Sequence, residues 1–173
     1  MEGFLNPQEA LKQLKLKDDF VVADFGSGSG GWVMPLAKQV EGGDVYAIDI
    51  LEEPLSALRA KADLEKLYNI KTIQSDVEKP TGSTLADSLC DLVLMTNLLF
   101  QVDSKEKVLA EGKRVLKEKG KILVVDWKKD APLGPKEGRI GAEEVKKIAK
   151  GLKLKVEKQF TAGIYHYGLI LVK

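Results

Sequence analysis

The sequence has few of the residues from which disulfides, metal centres and catalytic triads are built. Its 173 residues include one cysteine, Cys90, and one histidine, His166. A single cysteine excludes an internal disulfide and a zinc site made of several cysteines. Long apolar runs are missing too, because none approaches the roughly 20 residues that a membrane-spanning helix requires. We therefore expect no bound metal and no membrane-spanning segment.

An excess of charge of either sign is also absent. Lysine and arginine total 27 against 26 aspartate and glutamate residues, which leaves a formal charge of +1. Strong nucleic-acid binders usually carry a clear basic excess, so this balance gives no support for a nucleic-acid partner. Residues 1–7 lack the basic-then-apolar layout of a secretory signal, and we expect a cytoplasmic protein.

Strand and helix patterns alternate along one predicted domain of residues 1–173, made of an N-terminal helical segment, 1–19, and a core, 20–173. Apolar runs predict strands at 20–25, 44–50, 70–74, 92–96 and 121–127, and two more strand-like runs at 153–161 and 165–172. Helices are predicted after Asn6-Pro7, over 32–40, between 54 and 68, from a capping box at Asp103 and Glu106 to Gly120, and around 145–152. Five strand-then-helix units and a closing hairpin predict an α/β fold. It is a Rossmann-like, doubly wound, seven-stranded, mostly parallel sheet with an antiparallel last strand.

A glycine-rich loop follows the first predicted strand. It reads Gly26-Ser27-Gly28-Ser29-Gly30-Gly31. Glycines allow a tight turn and bring backbone N–H groups close to a ligand. The loop satisfies both a GxGxG pattern and the GxGxxG pattern of dinucleotide-binding proteins. It indicates a nucleotide site or, as the simpler alternative, a structural turn.

Three acidic residues narrow the choice of ligand. Asp49 ends the second strand, 23 residues after Gly26, where a carboxylate can accept both hydroxyls of a ribose. Asp24 precedes the loop, where its charge would repel a pyrophosphate but favour a cationic amino acid and a sulfonium. Asp76 ends the third strand, where it can accept a hydrogen bond from an adenine amino group. Together they favour S-adenosylmethionine over NAD or NADP.

The chain resembles class I S-adenosylmethionine-dependent methyltransferases in five ordered motifs: DFGSGSGG, VYAIDI, SDVEKP, DLVLMTNLLFQV and GKILVVDWK. It is most similar to the type 11 group, which includes methyltransferases of quinone biosynthesis. The resemblance covers residues 20–172. It implies transfer of a methyl group from S-adenosylmethionine, with S-adenosylhomocysteine as the product, and it leaves the acceptor unidentified.

The resemblance also implies how the cofactor is held. Its methionine part would lie against Asp24 and the glycine loop, its ribose against Asp49, and its adenine against the residues that follow the second and third strands. The implied cofactor-binding residues are Asp24, Gly26, Ser27, Gly28, Ser29, Gly30, Asp49, Ile50, Leu51, Asp76, Val77, Asn97 and Leu98. The last two would lie beside the methyl group.

No motif identifies a catalytic residue, and three side chains are candidates: Asn97 after the fourth strand, Asp126 at the end of the fifth, and His166 in the closing hairpin. For His166 we favour an ordinary strand position, because we expect the hairpin to lie off the active-site edge. Cys90 begins the fourth strand, the wrong end for a catalytic cysteine, and is predicted to be a buried filler.

Access to the site is the remaining question. Trp127 is predicted either to form an apolar wall for the acceptor or to cap the core, and the loop around 132–135 either to close as a lid or to be a rigid turn. The N-terminal segment is short, so we expect an open site. A macromolecular acceptor or a partner subunit, for example in a homodimer, would then cover it.

Two other functions stay open at this point. An NAD(P)-dependent oxidoreductase could use the same glycine loop and Asp49. A catalytically silent partner protein could keep the methyltransferase fold without turnover.

Overall fold

The computed structural model describes residues 4–173. Residues 1–3 belong to the segment from which we expect no secretory signal, and they lie outside the described residues. Helices and strands alternate along most of this range. In chain order they are α1 (Pro7–Leu11), β1 (Val21–Phe25), α2 (Val33–Ala37), β2 (Asp44–Asp49), α3 (Glu52–Glu65), β3 (Ile70–Gln74), β4 (Cys90–Thr96), α4 (Lys105–Val115), β5 (Leu116–Trp127), α5 (Ala142–Gly151), β6 (Lys155–Ala162) and β7 (His166–Val172).

All seven strands form one sheet in the order β3-β2-β1-β4-β5-β7-β6. Neighbouring strands are parallel except at β7, which runs antiparallel to both β5 and β6. The strand order reverses between β1 and β4, and ligands of open α/β sheets bind beyond the carboxyl ends of the strands at such a point. The predicted doubly wound, mostly parallel sheet with an antiparallel last strand is confirmed.

Helices cover both faces of the sheet. The face formed by Val22, Leu94 and Leu123 packs against α1, α2 and α3. The opposite face, which includes Val93 and Val124, packs against α4 and α5. Burial on two faces explains why the central strands are continuous apolar runs rather than alternating ones.

The connection from β3 to β4 departs from the predicted series of strand-then-helix units, because residues 75–89 contain turns and no helix. The buried carboxylate of Glu111 on α4 accepts hydrogen bonds from the backbone N–H and the hydroxyl of Ser83. Arg114 donates to the carbonyl oxygen of Leu85 at 2.8 Å. Side chains of α4 thus satisfy backbone groups that a helix would have satisfied itself.

The boundaries of α4 were also predicted wrongly. Its N-cap is Ser104, whose hydroxyl accepts from the N–H of Lys107 at 3.4 Å, rather than Asp103. The helix ends at Val115 and not at Gly120, since the following residues join β5. Pairing with β4 decides this: Leu116 lies opposite Cys90, and after an irregularity Lys121 lies opposite Leu92.

Candidate cofactor-binding site

The glycine loop crosses the carboxyl ends of β1 and β2. The N–H groups of Gly26 and Ser27 both donate to the carbonyl oxygen of Ile48, at 2.8 and 3.0 Å. The N–H of Gly28 donates to Oδ2 of Asp49 at 2.8 Å. These bonds tie the loop to the end of β2 and place Asp49 directly beside it.

Three glycines of the loop have positive φ angles, +74° at Gly26, +51° at Gly28 and +89° at Gly30. Two of them also lack room for a side chain. A Cβ on Gly26 would lie 2.8 Å from Cδ1 of Leu98, and one on Gly30 would overlap Cδ1 of Leu58. A Cβ on Gly28 would have no neighbour within 4 Å. Gly28 therefore exposes its backbone to open space, where a ligand can approach it closely.

Asp49 ends β2 with its side chain half-buried. Besides the bond from Gly28, its Oδ1 accepts from the N–H of Leu51 at 3.0 Å. A carboxylate oxygen has two lone pairs, so each oxygen retains capacity for a further donor. The two backbone bonds fix the carboxylate and leave it able to accept a pair of ribose hydroxyls.

A second carboxylate, Asp76, follows β3 and is half-buried. Its Oδ1 accepts from the N–H of Glu78 at 3.0 Å, and its Oδ2 lies 3.9 Å from Nζ of Lys79. The neighbouring Val77 side chain is buried. Glu78 in turn accepts from the N–H of Ser104 at 2.6 Å, which links this turn to the start of α4.

These groups surround a cavity of about 350 Å³ at the carboxyl ends of β1 to β4. Eight of the residues proposed from the sequence line it: Gly26, Gly28, Asp49, Ile50, Leu51, Asp76, Val77 and Leu98. Six others that the sequence did not indicate line it as well: Ile48, Pro54, Ser75, Glu78, Gln101 and Val102. Ser75 and Glu78 lie within two residues of Asp76 in the chain, and that proximity is the only signal that could have found them.

Asp24 lies behind this cavity rather than on its wall. Its side chain is fully buried, and neither carboxylate oxygen accepts a hydrogen bond from any residue of the described range 4–173. Burial, and next the charge of Asp49, raise the pKa of Asp24 to about 8. A buried acid left without a partner is costly, and a cation or a donor brought to it would relieve that cost.

Four other proposed residues also lie off the cavity wall. Ser29 is exposed, and its carbonyl oxygen accepts from Nζ of Lys61 at 2.9 Å. Gly30 is buried against α3. The hydroxyl of Ser27 and Oδ1 of Asn97 are buried, and neither bonds to a partner within the part of the chain that the structure describes. Like the two carboxylate oxygens of Asp24, these two atoms are buried and have no hydrogen-bond partner among the described residues.

Comparisons with known proteins show the family to which the chain belongs. A family model for a methyltransferase domain matches residues 23–124, more than half of the chain. The chain belongs to the class I S-adenosylmethionine-dependent methyltransferases. A methyltransferase of this kind from Aquifex aeolicus has a solved structure with a TM-score of 0.87 and 30% sequence identity, covering 97% of this chain and 89% of that one.

Curated relatives of this methyltransferase bear the names of quinone-pathway enzymes. The ubiquinone/menaquinone biosynthesis C-methyltransferase UbiE of Paraburkholderia phymatum is 30% identical over 120 residues, 69% of this chain and 48% of that protein. The demethylmenaquinone methyltransferase of Bacillus mycoides is 26% identical over 135 residues, 77% of this chain and 55% of that protein. The chain spans about half the length of the curated relatives it matches.

Asp126, one of the candidate catalytic residues of this methyltransferase, forms structural hydrogen bonds to the backbone. Its side chain is fully buried at the end of β5 and accepts from the N–H groups of Leu99 and Trp127, at 2.9 and 2.7 Å. Burial raises the pKa of Asp126 to about 6 against the opposing effect of these bonds. The carboxylate anchors the loop that follows β4 and so positions Leu98 and Asn97.

His166 lies at the active-site edge, which corrects the expectation that the hairpin lies off it. Because β7 is antiparallel to β5, its first residue pairs with Trp127, the last residue of β5. The turn between β6 and β7 therefore stands at the same edge of the sheet as the cofactor cavity.

Trp127 and the loop after it form a fixed unit. The guanidinium of Arg139 lies 5.8 Å from the indole centroid and donates to four carbonyl oxygens of the same loop. Gly134, with φ +94°, packs on the indole so closely that a Cβ would overlap the ring. These contacts favour a rigid turn over a lid, and they favour Trp127 as a support for its neighbours over an exposed acceptor wall.

Other candidate sites are outside the cavity. Cys90 is buried at the start of β4, the opposite end of the strand from the cofactor cavity, and burial raises the pKa of its thiol to about 12. Residues 4–173 bring together no cluster of three or more metal-ligating side chains. Within the same range, every helix is too short or too polar to cross a membrane.

Proposed function

We propose that this chain binds S-adenosylmethionine in the cavity at the carboxyl ends of β1 to β4 and transfers its methyl group to an acceptor. The observation that carries the proposal is the convergence of two carboxylates and an unobstructed glycine backbone on one cavity. Asp49 and Asp76 stand at neighbouring strand ends, and Gly28 is open to approach. A nucleoside with an amino-acid tail requires this combination of acceptors and space.

Each part of the cofactor has a matching surface. Asp49 would accept the ribose hydroxyls, and the apolar side chains of Ile50, Leu51 and Val77 would cover the adenine, whose amino group would donate to Asp76. Ile50 and Leu51 are each 60% exposed, so the adenine would shield apolar surface that now meets water. The methionine part would then lie along the glycine loop toward Asp24.

The buried, unpaired carboxylate of Asp24 fits a cationic tail. An ammonium group brought close would favour the ionised form of Asp24, because an opposite charge lowers the pKa of a carboxyl. The hydroxyl of Ser27 and Oδ1 of Asn97 would gain partners from the same end of the cofactor, since both are buried without one among the described residues.

A dinucleotide fits the loop less well. NAD and NADP place a pyrophosphate on free N–H groups of a glycine loop. Here four of the six N–H groups in residues 26–31 already donate within the protein, to Ile48, Asp49 and Ser27. We therefore set aside the oxidoreductase alternative.

When bound, the cofactor supplies an activated methyl group on its sulfonium. What the chain contributes is position, which for well-oriented reactants is worth roughly 7–11 kcal/mol. Asp126 holds the loop that carries Asn97 and Leu98. Leu98 packs so tightly on the glycine loop that a Cβ on Gly26 would lie 2.8 Å from its Cδ1. This packing would fix the floor beneath the reacting methyl group.

We further propose that the acceptor, or a partner subunit such as a second copy of this chain, covers the site. Residues 4–20, the described part of the segment before β1, contribute one five-residue helix, α1, to the face that holds Asp24. The quinone-pathway relatives make a reduced quinone the first small acceptor to assay. Full turnover of 1,4-naphthohydroquinone by a strictly monomeric protein would refute the covering hypothesis.

Ligand-dependent melting tests the cofactor directly. S-adenosylmethionine and S-adenosylhomocysteine should raise the melting temperature, whereas NAD and NADP should not. A ligand at 100 times its Kd adds roughly 2.7 kcal/mol to the free energy of unfolding, which a thermal scan resolves easily. Labelled methyl transfer into protein, RNA and small-molecule fractions of a cell extract would then identify the acceptor class. A response to the nicotinamide cofactors alone would reverse the assignment.

Asp49→Ala tests the ribose contact. We expect S-adenosylhomocysteine to bind about a hundredfold more weakly, which corresponds to about 3 kcal/mol, as measured by calorimetry. Glu53→Ala is the matched control, since Glu53 is a neighbouring acid exposed on the first turn of α3 and absent from the cavity wall. Equal affinity of the Asp49 variant and the control would show that the ribose lies elsewhere.

A further inference from the structure

The imidazole of His166 lies outside the cofactor cavity and is buried without a hydrogen-bond partner among the described residues. The residue is 5% exposed, and neither ring nitrogen has a hydrogen-bond partner anywhere in residues 4–173. A neutral imidazole carries one donor and one acceptor, and buried polar groups are nearly always paired. An unpaired histidine at the edge where the ligands of α/β sheets bind calls for a partner from a ligand.

The register of the sheet gives the direction in which His166 points. Asp24 on β1 lies level with Leu94 on β4, which lies level with Leu123 on β5. Residues in register share a face, and alternate residues along a strand return to it. Trp127 is four residues beyond Leu123 and pairs with His166. His166 is thus on the same face of the sheet as Asp24, nearer the carboxyl edge.

The order of the strands relates His166 to the cofactor, and this step rests on the proposed function. With adenine at β2 and β3 and the methionine part at β1, the methyl group would point toward the end of β4. The next strands along that edge are β5 and β7. Adjacent strands are about 4.8 Å apart, so β7 lies about 10 Å from β4, the width of one small aromatic ring and its contacts.

Neighbouring residues hold the imidazole in place without bonding to its nitrogens. The ring stacks on Trp127 with centroids 4.1 Å apart and an angle of 42° between the planes. Lys128 fastens the adjoining turn, through its N–H to the carbonyl oxygen of Tyr165 and through Nζ to that of Ile164, each at 2.8 Å. Burial, and next the charge of Lys128, lower the pKa of His166 to about 4, so the ring is neutral at pH 7.

We propose that the methyl acceptor binds at the ends of β4, β5 and β7 and that His166 is a catalytic residue that accepts its proton. The acceptor would carry a dissociable proton on the reacting atom, as an aromatic hydroxyl does, and would hydrogen-bond to an imidazole nitrogen. During transfer the sulfur–methyl bond breaks and leaves its electron pair on sulfur. The bond from methyl to the acceptor atom forms, and the acceptor proton passes to His166.

A weakly basic imidazole is adequate for this step. As the acceptor atom gains the methyl group it becomes positively charged, and its proton becomes far more acidic than an imidazolium. Proton transfer to a positioned base at that stage typically contributes 10²–10⁴-fold to the rate. The low basicity of His166 also keeps the ring neutral and able to accept before the reaction.

Nuclear magnetic resonance of the imidazole nitrogens tests the contact directly, because His166 is the only histidine in the chain. The protein is first saturated with S-adenosylhomocysteine and then titrated with phenol, with toluene as the matched probe that lacks the hydroxyl. We expect phenol, and not toluene, to shift a ring nitrogen. Absence of a phenol shift in the complex, or equal shifts with both probes, would overturn the proposal.

Two variants test the chemical role. His166→Gln keeps hydrogen-bonding capacity without basicity, and His166→Phe keeps the ring without nitrogens. In both variants we expect the Kd for S-adenosylhomocysteine to stay within about twofold of that of the unaltered protein. We expect kcat for methyl transfer to the acceptor to fall about a hundredfold or more. Retention of more than half of the normal kcat by either variant would contradict the proposal. Failure of the unaltered protein to bind S-adenosylhomocysteine would instead refute the proposed function.

Discussion

Asp24 is the residue through which we expect cofactor binding to depend on pH. Its carboxyl is fully buried without a partner among the described residues, and burial followed by the charge of Asp49 raises its pKa to about 8. An aspartate in an unfolded chain ionises near pH 4. Between about pH 4 and pH 8 the folded form therefore holds a proton that the unfolded form has lost. The contribution of Asp24 to the free energy of unfolding therefore falls as the pH rises across that window.

Asp24→Asn should remove this dependence. We expect the unaltered protein to lose stability toward urea from pH 5 to pH 8 relative to the variant. We also expect S-adenosylmethionine to displace close to one proton at pH 6.5 in the unaltered protein and none in the variant, because the cofactor's cation favours ionised Asp24. Calorimetry in buffers of different ionisation enthalpy measures that proton. Equal proton release by both proteins would contradict the assigned role.

Gly30 and Gly31 are adjacent in the chain, but only the position of Gly30 requires a glycine. Gly30 has φ +89° and a Cβ there would overlap Leu58, whereas Gly31 has neither a positive φ nor a neighbour within 4 Å of a Cβ. We expect Gly30→Ala to lower the free energy of unfolding by about 1–3 kcal/mol and Gly31→Ala to change it little. Urea unfolding of the two variants side by side checks this. Equal destabilisation would mean that the loop differs from the geometry given above.

At the scale of elements, the helix missing between β3 and β4 is replaced by an ion-pair network. Arg114 donates to both carboxylate oxygens of Glu111, each at 2.8 Å, while Ser83 binds the same carboxylate. Burial alone would raise the pKa of Glu111, but the bonds from Arg114 and Ser83 outweigh it and hold the pKa below its usual range. The network fastens residues 75–89, which include the turn at Asp76 that we propose contacts the adenine.

Glu111→Ala should break that network. We expect a loss of about 3 kcal/mol in the free energy of unfolding, because the substitution removes both carboxylate bonds of the part-buried Arg114 and leaves the backbone N–H of Ser83 unpaired. Glu106→Ala, on the exposed first turn of the same helix, is the matched control and should cost little. Chemical denaturation of both variants decides the matter. A loss no greater than that of the control would show that α4 does not anchor the turn.

At the scale of the whole molecule, all seven strands belong to one continuous sheet. Strands β1 to β7 span residues 21–172, and the cofactor cavity draws on four of them. We expect a single cooperative unfolding transition, which S-adenosylhomocysteine at 100 times its Kd should raise by about 5–10 °C. Scanning calorimetry with and without the ligand measures both features. Two transitions, only one of them moved by ligand, would contradict the single domain.

Much of the fold follows from local pattern. The strand Ile70–Gln74 has the bounds predicted from the sequence. Helix α5 buries Val145 and Ala149 from the predicted stripe. The end of α4 was predicted wrongly because residues 116–120 carry no local signal against a helix. The pairing of Leu116 with Cys90, 26 residues earlier in the chain, overrides local preference.

The sequence by itself determined the sheet, the glycine loop and the acidic residues at its strand ends, because alternation, glycine and charge are local signals. Only the tertiary structure decided which of these groups share a cavity and which stay behind it. Asp49 and Asp76 reach the cavity wall, Asp24 does not, and His166 arrives at the same edge because β7 runs back against β5. Such convergence depends on strand order and register, which join residues far apart in the chain and leave no mark on the residues beside them.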